Sequence, residues 1–170
     1  VTSTDSITVE NTDPTVDSVS ISPSSSVQTS SSLVCSATAS DGDGDTPTLS
    51  YAWTNGSTSL GSGDTLTLTA STSLPGDSIT CTVTATDSDG GSGTGSASVT
   101  VANTQPIVDS VTVSPSSGVK ITSTLTCSAT ASDDDGGTPT LSYAWTNDTD
   151  STSLGTGNSL ALSTSIASKG

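Results

Sequence analysis

Residues 79–86 read "ITCTVTAT", and this strict alternation decides the fold class. Ile79, Cys81, Val83 and Ala85 take every second position, with threonine between them. Successive side chains of a β-strand point to opposite faces, so a period of two predicts one buried face and one solvent-exposed face. Threonine is β-branched and suits the wet face. The same alternation returns in "LVCSATA" (33–39), "TLTLT" (65–69) and "SASVTV" (96–101).

The composition excludes several classes of function. The net charge is −15, and the only cations are Lys120 and Lys169. A nucleic-acid-binding protein needs a basic face, so we expect no DNA or RNA partner. The sequence also has no apolar run long enough to span a bilayer. High charge with low hydrophobicity is a signature of disorder, but the alternating pattern favours an ordered all-β chain.

The sequence repeats itself, and the repeat defines its organisation. "CSATASDGDGDTPTLSYAWTN" from Cys35 returns as "CSATASDDDGGTPTLSYAWTN" from Cys127, which is 92 residues later. Trp53 and Trp145 are separated by the same distance. A unit of this length, cut into short strands by turn residues, is typical of a seven-stranded β-sandwich.

The repeat also predicts the domain boundaries. Residues 1–13 match the last strand and linker of a preceding repeat, 14–104 form a complete domain, and 105–170 form a domain that lacks its last two strands. After Asn147 the offset grows by two residues, an insertion that we expect in a surface loop. Two explanations of the incomplete domain stay open. The chain is part of a longer tandem array, or identical subunits complete each other by donating strands.

Three stretches carry a resemblance to a known group of modules: "NTDPTVDSVSISPSS", "CSATASDGDGDTPTLSYAWTN" and "CTVTATDSDGGSGTGSASVTVANTQP". They resemble the tandem immunoglobulin-like (Ig-like), PKD-like and cadherin-like repeats of large bacterial and archaeal cell-surface proteins. The resemblance implies tandem antiparallel Ig-like β-sandwiches with a period of about 92 residues, the second one incomplete. It also implies an extracellular or cell-surface location.

The resemblance further implies a disulfide. In the immunoglobulin arrangement, cysteines on the second and sixth strands bridge the two sheets, and a tryptophan on the third strand packs against the bridge. Cys35, Trp53 and Cys81 fall on those strands. Cys127 corresponds to Cys35, and its partner would lie beyond residue 170. Two buried free thiols are the alternative.

Aspartate-rich loops follow two of these strands. "SDGDGDTP" joins the second and third strands, "TDSDGG" joins the sixth and seventh, and in an Ig-like sandwich both loops lie at the end where the linker "ENTDP" enters. Because Ca²⁺ takes six to eight oxygen ligands, we predict a calcium site at this end. Its candidate ligands are Glu10, Asn11, Asp13, Asp41, Asp43, Asp45, Asp87, Asp89, Asp133 and Asp135. The alternative is that these residues only form turns and keep the protein soluble.

Two asparagines stand in Asn-x-Ser/Thr sequons at the same repeat position. Asn55 and Asn147 are candidate glycosylation sites for this reason. Matches to so short a motif are frequent in a Ser/Thr-rich chain.

The sequence contains no recognisable set of catalytic residues, so we predict that the protein is not an enzyme. The chain contains no histidine, which removes the usual general base and the usual transition-metal ligand. We predict a structural repeat, as a spacer or stalk of an adhesin, surface protein or filament, whose partners are neighbouring repeats or identical subunits. The alternatives are a module that binds a cell-surface glycan or protein, and a self-assembling filament subunit. Exposure of Tyr51 or Trp53 would favour the recognition module, because sugars stack on exposed rings.

Overall fold

The computed structural model describes residues 4–165, which form strands, turns and loops. The chain divides into two compact units, with the boundary between Asn103 and Thr104. No helix among residues 4–165 is long and apolar enough to cross a membrane. The all-β class is confirmed.

Unit 1 is a sandwich of two antiparallel sheets. One sheet has the order β1-β2-β5 and the other β4-β3-β6-β7. The strands are β1 (Thr15–Ser22), β2 (Ser32–Ser40), β3 (Thr48–Asn55), β4 (Thr58–Ser62), β5 (Thr65–Thr67), β6 (Ser78–Thr86) and β7 (Ser92–Thr100). The seven strands predicted for a complete domain are all present.

The core lies between the sheets and follows the alternation read from the sequence. On β6, Ile79, Cys81, Val83 and Ala85 are fully buried, whereas the threonines between them are partly exposed. The other buried hydrophobic side chains of unit 1 are Ile21, Val27, Leu33, Cys35, Trp53, Leu68, Val99 and Val101. Threonine is stable on the wet face because its branched side chain fits the pleated backbone and its hydroxyl stays hydrated.

A short parallel contact closes unit 1 after β7. Val27 and Val101 form a parallel bridge, and the Ala102 N–H donates to the Val27 carbonyl at 2.6 Å. Both valines are buried. The segment after β1 is thereby joined to the sheet that contains β7.

The inward-facing side chains of β7 become smaller towards the start of the strand, from Val99 through Ala97 to Gly95 and Gly93. A Cβ at Gly95 would lie 2.8 Å from a methyl carbon of Val16, and a Cβ at Gly93 would overlap the Pro14 carbonyl oxygen. Real Cβ atoms do not tolerate such contacts. The two glycines therefore allow the start of the chain's first strand to lie against β7.

Unit 2 repeats the first part of this plan. Its strands are β8 (Ile107–Ser114), β9 (Thr124–Ser132), β10 (Ala144–Asn147), β11 (Thr152–Thr156) and β12 (Ser159–Ala161). They form one sheet of order β12-β9-β8 and a β10-β11 pair. Val113 pairs with Cys127, as Ile21 pairs with Cys35 in unit 1.

The two inserted residues lie in a hairpin turn. In unit 1 Asn55 pairs with Thr58, which leaves a two-residue turn. In unit 2 Asn147 pairs with Thr152, which leaves four residues in the turn. The insertion therefore adds length outside the sheets, as predicted for a surface loop.

The face of β8 that corresponds to the core of unit 1 is exposed. Val113 is 41% exposed, whereas the equivalent Ile21 is 6% exposed. Val119 is 44% exposed, whereas the equivalent Val27 is fully buried. In unit 1 this face is covered by the sheet that contains β6 and β7.

Candidate functional site

The buried cross-link of unit 1 is the disulfide predicted from the sequence. Cys35 on β2 and Cys81 on β6 are bonded across the sandwich, with their Cα atoms 6.5 Å apart. Trp53 on β3 pairs with Cys81 in the neighbouring strand and is fully buried. Its indole Nε1–H donates to the Gly63 carbonyl at 2.9 Å, so the one polar group of this ring is satisfied.

Unit 2 has the same tryptophan contact and a free thiol. Trp145 donates its Nε1–H to the Gly157 carbonyl at 2.8 Å, and Cys127 is a half-buried free cysteine. Cys127 lines an open cleft of about 210 Å³, whose other apolar walls include Val108, Val111, Ala129, Leu141 and Tyr143. A partner cysteine for Cys127 stays a prediction.

The first aspartate loop, between β2 and β3, folds onto the linker that enters unit 1. The Asp43 carboxylate accepts the Thr12 N–H at 2.7 Å and the Thr12 hydroxyl at 3.3 Å. Behind it, the Asp43 N–H donates to Asp41 Oδ1 at 2.7 Å. Gly44 has a φ of +90°, a backbone conformation that favours glycine, and completes the turn.

The second aspartate loop, between β6 and β7, is organised by a buried carboxylate. Asp87 is 8% exposed, and its Oδ1 accepts the N–H groups of Asp89 at 2.9 Å and Gly91 at 2.8 Å. Its Oδ2 accepts the Asn11 side-chain amide at 2.9 Å. The Asn11 hydrogen bond is the main cause of a lowered pKa at Asp87, and backbone hydrogen bonds from the loop add to it.

The linker and the second loop meet at Gly91. A Cβ at Gly91 would lie 2.5 Å from Asp13 Oδ1 and 2.9 Å from Asn11 Nδ2, and it would also overlap Asp87 Oδ2. The structure thus brings Asn11, Asp13 and Asp87 together. Asp45 joins the same end, because its Oδ2 accepts the Ser88 hydroxyl at 3.3 Å.

Glu10 and Asp89 lie at the edge of this region. With Val9, Asn11 and Asp43 they line an open depression of about 390 Å³. The entering linker and both loops therefore contribute side chains to one end of unit 1.

The carboxylates are not arranged around a single point. Among residues 4–165, no group of three or more acidic, histidine or cysteine side chains is placed to hold one metal ion. Asp41 Oδ2 is nevertheless buried without a hydrogen-bond partner. A buried carboxylate oxygen without a partner is costly, and a bound cation would satisfy it. Calcium stays a prediction.

In unit 2 the corresponding loop is built in the same way. Asp135 is 7% exposed, and its Oδ2 accepts the Thr104 N–H at 2.6 Å. The Asp135 N–H donates to Asp133 Oδ1 at 2.9 Å. Ala102 and Gln105 stand where the linker of unit 1 has Glu10 and Asp13, so this linker contributes two carboxylates fewer.

The sequon asparagines have different surroundings. Asn55 Nδ2, the atom to which a glycan would be attached, donates to Asp77 Oδ2 at 2.6 Å and to the Thr72 carbonyl at 3.2 Å. A glycan at Asn55 would have to replace part of this bonding. Asn147 instead uses Oδ1, which accepts the Thr149 N–H at 3.0 Å. Glycosylation stays a prediction at both positions.

Two residues that hold the first aspartate loop and the sequon asparagine Asn55 are not among the candidates from the sequence. Thr12 was absent from the candidate residues because its contribution is mainly a backbone N–H, although threonine recurs at this linker position as Thr104. Asp77 was also missed. It accepts the Leu74 N–H at 2.8 Å and the Asn55 amide, and these two hydrogen bonds lower its pKa in that order.

Neither aromatic side chain of unit 1 is fully exposed to solvent. Trp53 is fully buried, and Tyr51 is half-buried against the core. The exposed ring that would favour glycan recognition is therefore absent from the described part of unit 1.

A two-sheet sandwich with a buried disulfide between the second and sixth strands, packed on a tryptophan of the third, defines an immunoglobulin-like module. The comparison with protein families agrees, because residues 3–101 match the bacterial Ig domain. The chain belongs to this family. No curated protein and no solved structure matches it.

Proposed function

We propose that the chain is a non-catalytic structural repeat of an extracellular or cell-surface protein, and that it serves as a spacer in a stalk, adhesin or filament. The observation that carries this proposal is the buried Cys35–Cys81 disulfide. Disulfides persist in oxidising compartments and are rare in the cytosol. Membership of the bacterial Ig domain family supports the same conclusion.

The path of the chain through unit 1 suits a spacer. The chain enters at Pro14, which lies against Gly93 at the start of β7, and it leaves after Val101, beyond the end of β7. Eight residues of strand separate these points, which corresponds to about 26 Å. Entry and exit thus lie at opposite ends of the module, as repeats joined end to end require.

The redox state of the cysteines in the native protein tests the location. Protein isolated from its source would be unfolded without reductant and treated with a thiol reagent, and labelled cysteines would be identified by mass spectrometry. We expect Cys35 and Cys81 to be protected until reductant is added. Labelling of both in the absence of reductant would show that the native protein is kept in a reducing compartment, and the proposal would be wrong.

We also propose that unit 1 binds calcium. The proposal is supported by the buried Asp41 Oδ2, which has no hydrogen-bond partner, and by the proximity of Asp13 to Asp87. Binding requires these carboxylates to turn towards a common ion. A ligand that binds only the folded state raises its stability by mass action. Calcium is therefore expected to raise the Tm of the wild-type chain and to lose this effect in Asp41→Ala and Asp13→Ala. An equal Tm with calcium and with chelator would exclude the site.

We also propose that the exposed face of unit 2 is completed by a strand pair of the β6–β7 type, supported by the exposure of Val113 and Val119. A synthetic peptide with the sequence of residues 77–102 carries the matching cysteine, Cys81. Mixed with the chain under mild oxidation, it should form a disulfide with Cys127 and reduce the exposure of this face. A Cys127→Ser variant controls for non-specific oxidation. Dimerisation of the chain without peptide capture would show that a second copy covers the face instead.

A further inference from the structure

The backbone of the linker that enters unit 1 is held at Thr12 by one side chain. The Asp43 carboxylate accepts two hydrogen bonds from Thr12, one from the backbone N–H at 2.7 Å and one from the hydroxyl at 3.3 Å. Asp43 is itself held by the bond from its N–H to Asp41 Oδ1. The neighbouring Gly42 also packs near Thr12, since a Cβ there would lie 3.5 Å from the threonine methyl group.

Unit 2 repeats this arrangement in a different sequence context. Thr104 donates its N–H to Asp135 Oδ2 at 2.6 Å, and the Asp135 N–H donates to Asp133 Oδ1. Gly136, with a φ of +82°, takes the role of Gly44.

The residues around the contact change between the units, whereas the hydrogen bond from the threonine N–H to the aspartate carboxylate is present in both. Gly42, Asp45 and Asp13 of unit 1 are replaced in unit 2 by Asp134, Gly137 and Gln105. The acidic residues available to a cation therefore differ between the two loops. The threonine of the linker and the aspartate that accepts its N–H occupy the same repeat positions in both.

We propose that the pairs Thr12–Asp43 and Thr104–Asp135 form a linker latch, which fixes the direction in which the chain enters each module without a metal ion. A hydrogen bond to a carboxylate is stronger than one between neutral groups, and the bond to the first aspartate restricts where the carboxylate points. The latch goes beyond the proposed function, because it would hold the linker of such a module in any location or role.

Amide hydrogen exchange of the whole chain, followed residue by residue by NMR, tests the latch. Asp43→Ala should accelerate exchange of the Thr12 N–H about three- to tenfold and leave the Thr104 N–H unchanged. Asp135→Ala should have the opposite pattern. An unchanged resonance of the Trp53 indole N–H would show that the core of unit 1 is intact in the first variant.

Two matched variants separate the latch from general charge effects and from calcium. Asp43→Asn keeps an oxygen that accepts the Thr12 N–H and an amide that donates to its hydroxyl, so Thr12 exchange should stay within about twofold of wild type. Asp45→Ala removes a charge from the same loop and should leave Thr12 exchange unchanged.

Equal Thr12 exchange in wild type and Asp43→Ala would overturn the proposal. It would also be overturned if chelator alone accelerated Thr12 exchange as much as Asp43→Ala does, because an ion would then hold the linker. Neither result bears on the compartment of the protein, which the cysteine labelling tests separately.

Discussion

Reduction of the Cys35–Cys81 disulfide should remove a large part of the stability of unit 1. The bridge joins residues separated by 46 positions. A cross-link over such a loop lowers the conformational entropy of the unfolded chain by an amount worth about 4 kcal/mol at 25 °C. Domains of this size are stable by only about 5–15 kcal/mol, and the core here contains a single large aromatic ring.

The measurement is urea unfolding of the oxidised and the reduced protein, followed by the fluorescence of Trp53. A Trp145→Phe, Cys127→Ser background makes Trp53 the only tryptophan and leaves Cys35 and Cys81 as the only cysteines. With a urea slope of about 1–3 kcal/mol per M, a loss of this size lowers the midpoint by roughly 1–4 M. Free energies must be compared, because the bridge also compacts the unfolded chain and changes the slope.

A double variant, Cys35→Ala with Cys81→Ala, provides the control and should unfold identically with and without reductant. If reduction of the parent protein changed the free energy of unfolding by less than about 1 kcal/mol, the entropic argument would fail for this loop. The unfolded chain would then be restricted by something other than the bridge.

Two further perturbations test the close contacts at the entry end. Gly93→Ala would drive a methyl group into the Pro14 carbonyl and should cost about 1–3 kcal/mol by thermal unfolding, whereas Ser92→Ala should be nearly neutral. Asn11→Ala removes the main cause of the lowered pKa of Asp87, so an NMR titration should show that pKa rising towards its usual range. The depressed pKa of Asp87 stabilises the folded state at pH values above the pKa that this carboxyl has in the unfolded chain. This stabilisation is lost as the pH falls through the folded-state pKa, so acid unfolding of Asn11→Ala should begin at a higher pH than that of wild type. An unchanged Asp87 titration in this variant would contradict the assignment.

The fold was predictable because its sequence signals are local and because the repeat presents most of them a second time. The alternation around Cys81 identified β6 and its buried face, and the resemblance to the immunoglobulin arrangement implied the cross-link between Cys35 and Cys81. The end of β5 does not follow the alternation. The alternation continues through Leu68, but the strand ends at Thr67, and the Leu68 N–H donates to the Ser31 carbonyl.

The detailed geometry of the aspartate loops was not predictable in the same way. Composition indicated carboxylates at one end of the module, but it did not show that Asp43 is engaged by a backbone N–H 31 residues away. Backbone donors have no signature in a sequence. The role of Gly93 was hidden for a similar reason, since glycine in a strand indicates a close approach without naming the partner.

The disulfide has a mechanical consequence for any longer protein that contains this module. When tension unfolds unit 1, the loop between Cys35 and Cys81 cannot be drawn out while the bridge is intact. Its 46 positions would otherwise add about 160 Å of extended chain. Only the segments outside the loop lengthen, so the unfolding step is shorter by this amount, and β3, β4 and β5 stay tethered near one another for refolding.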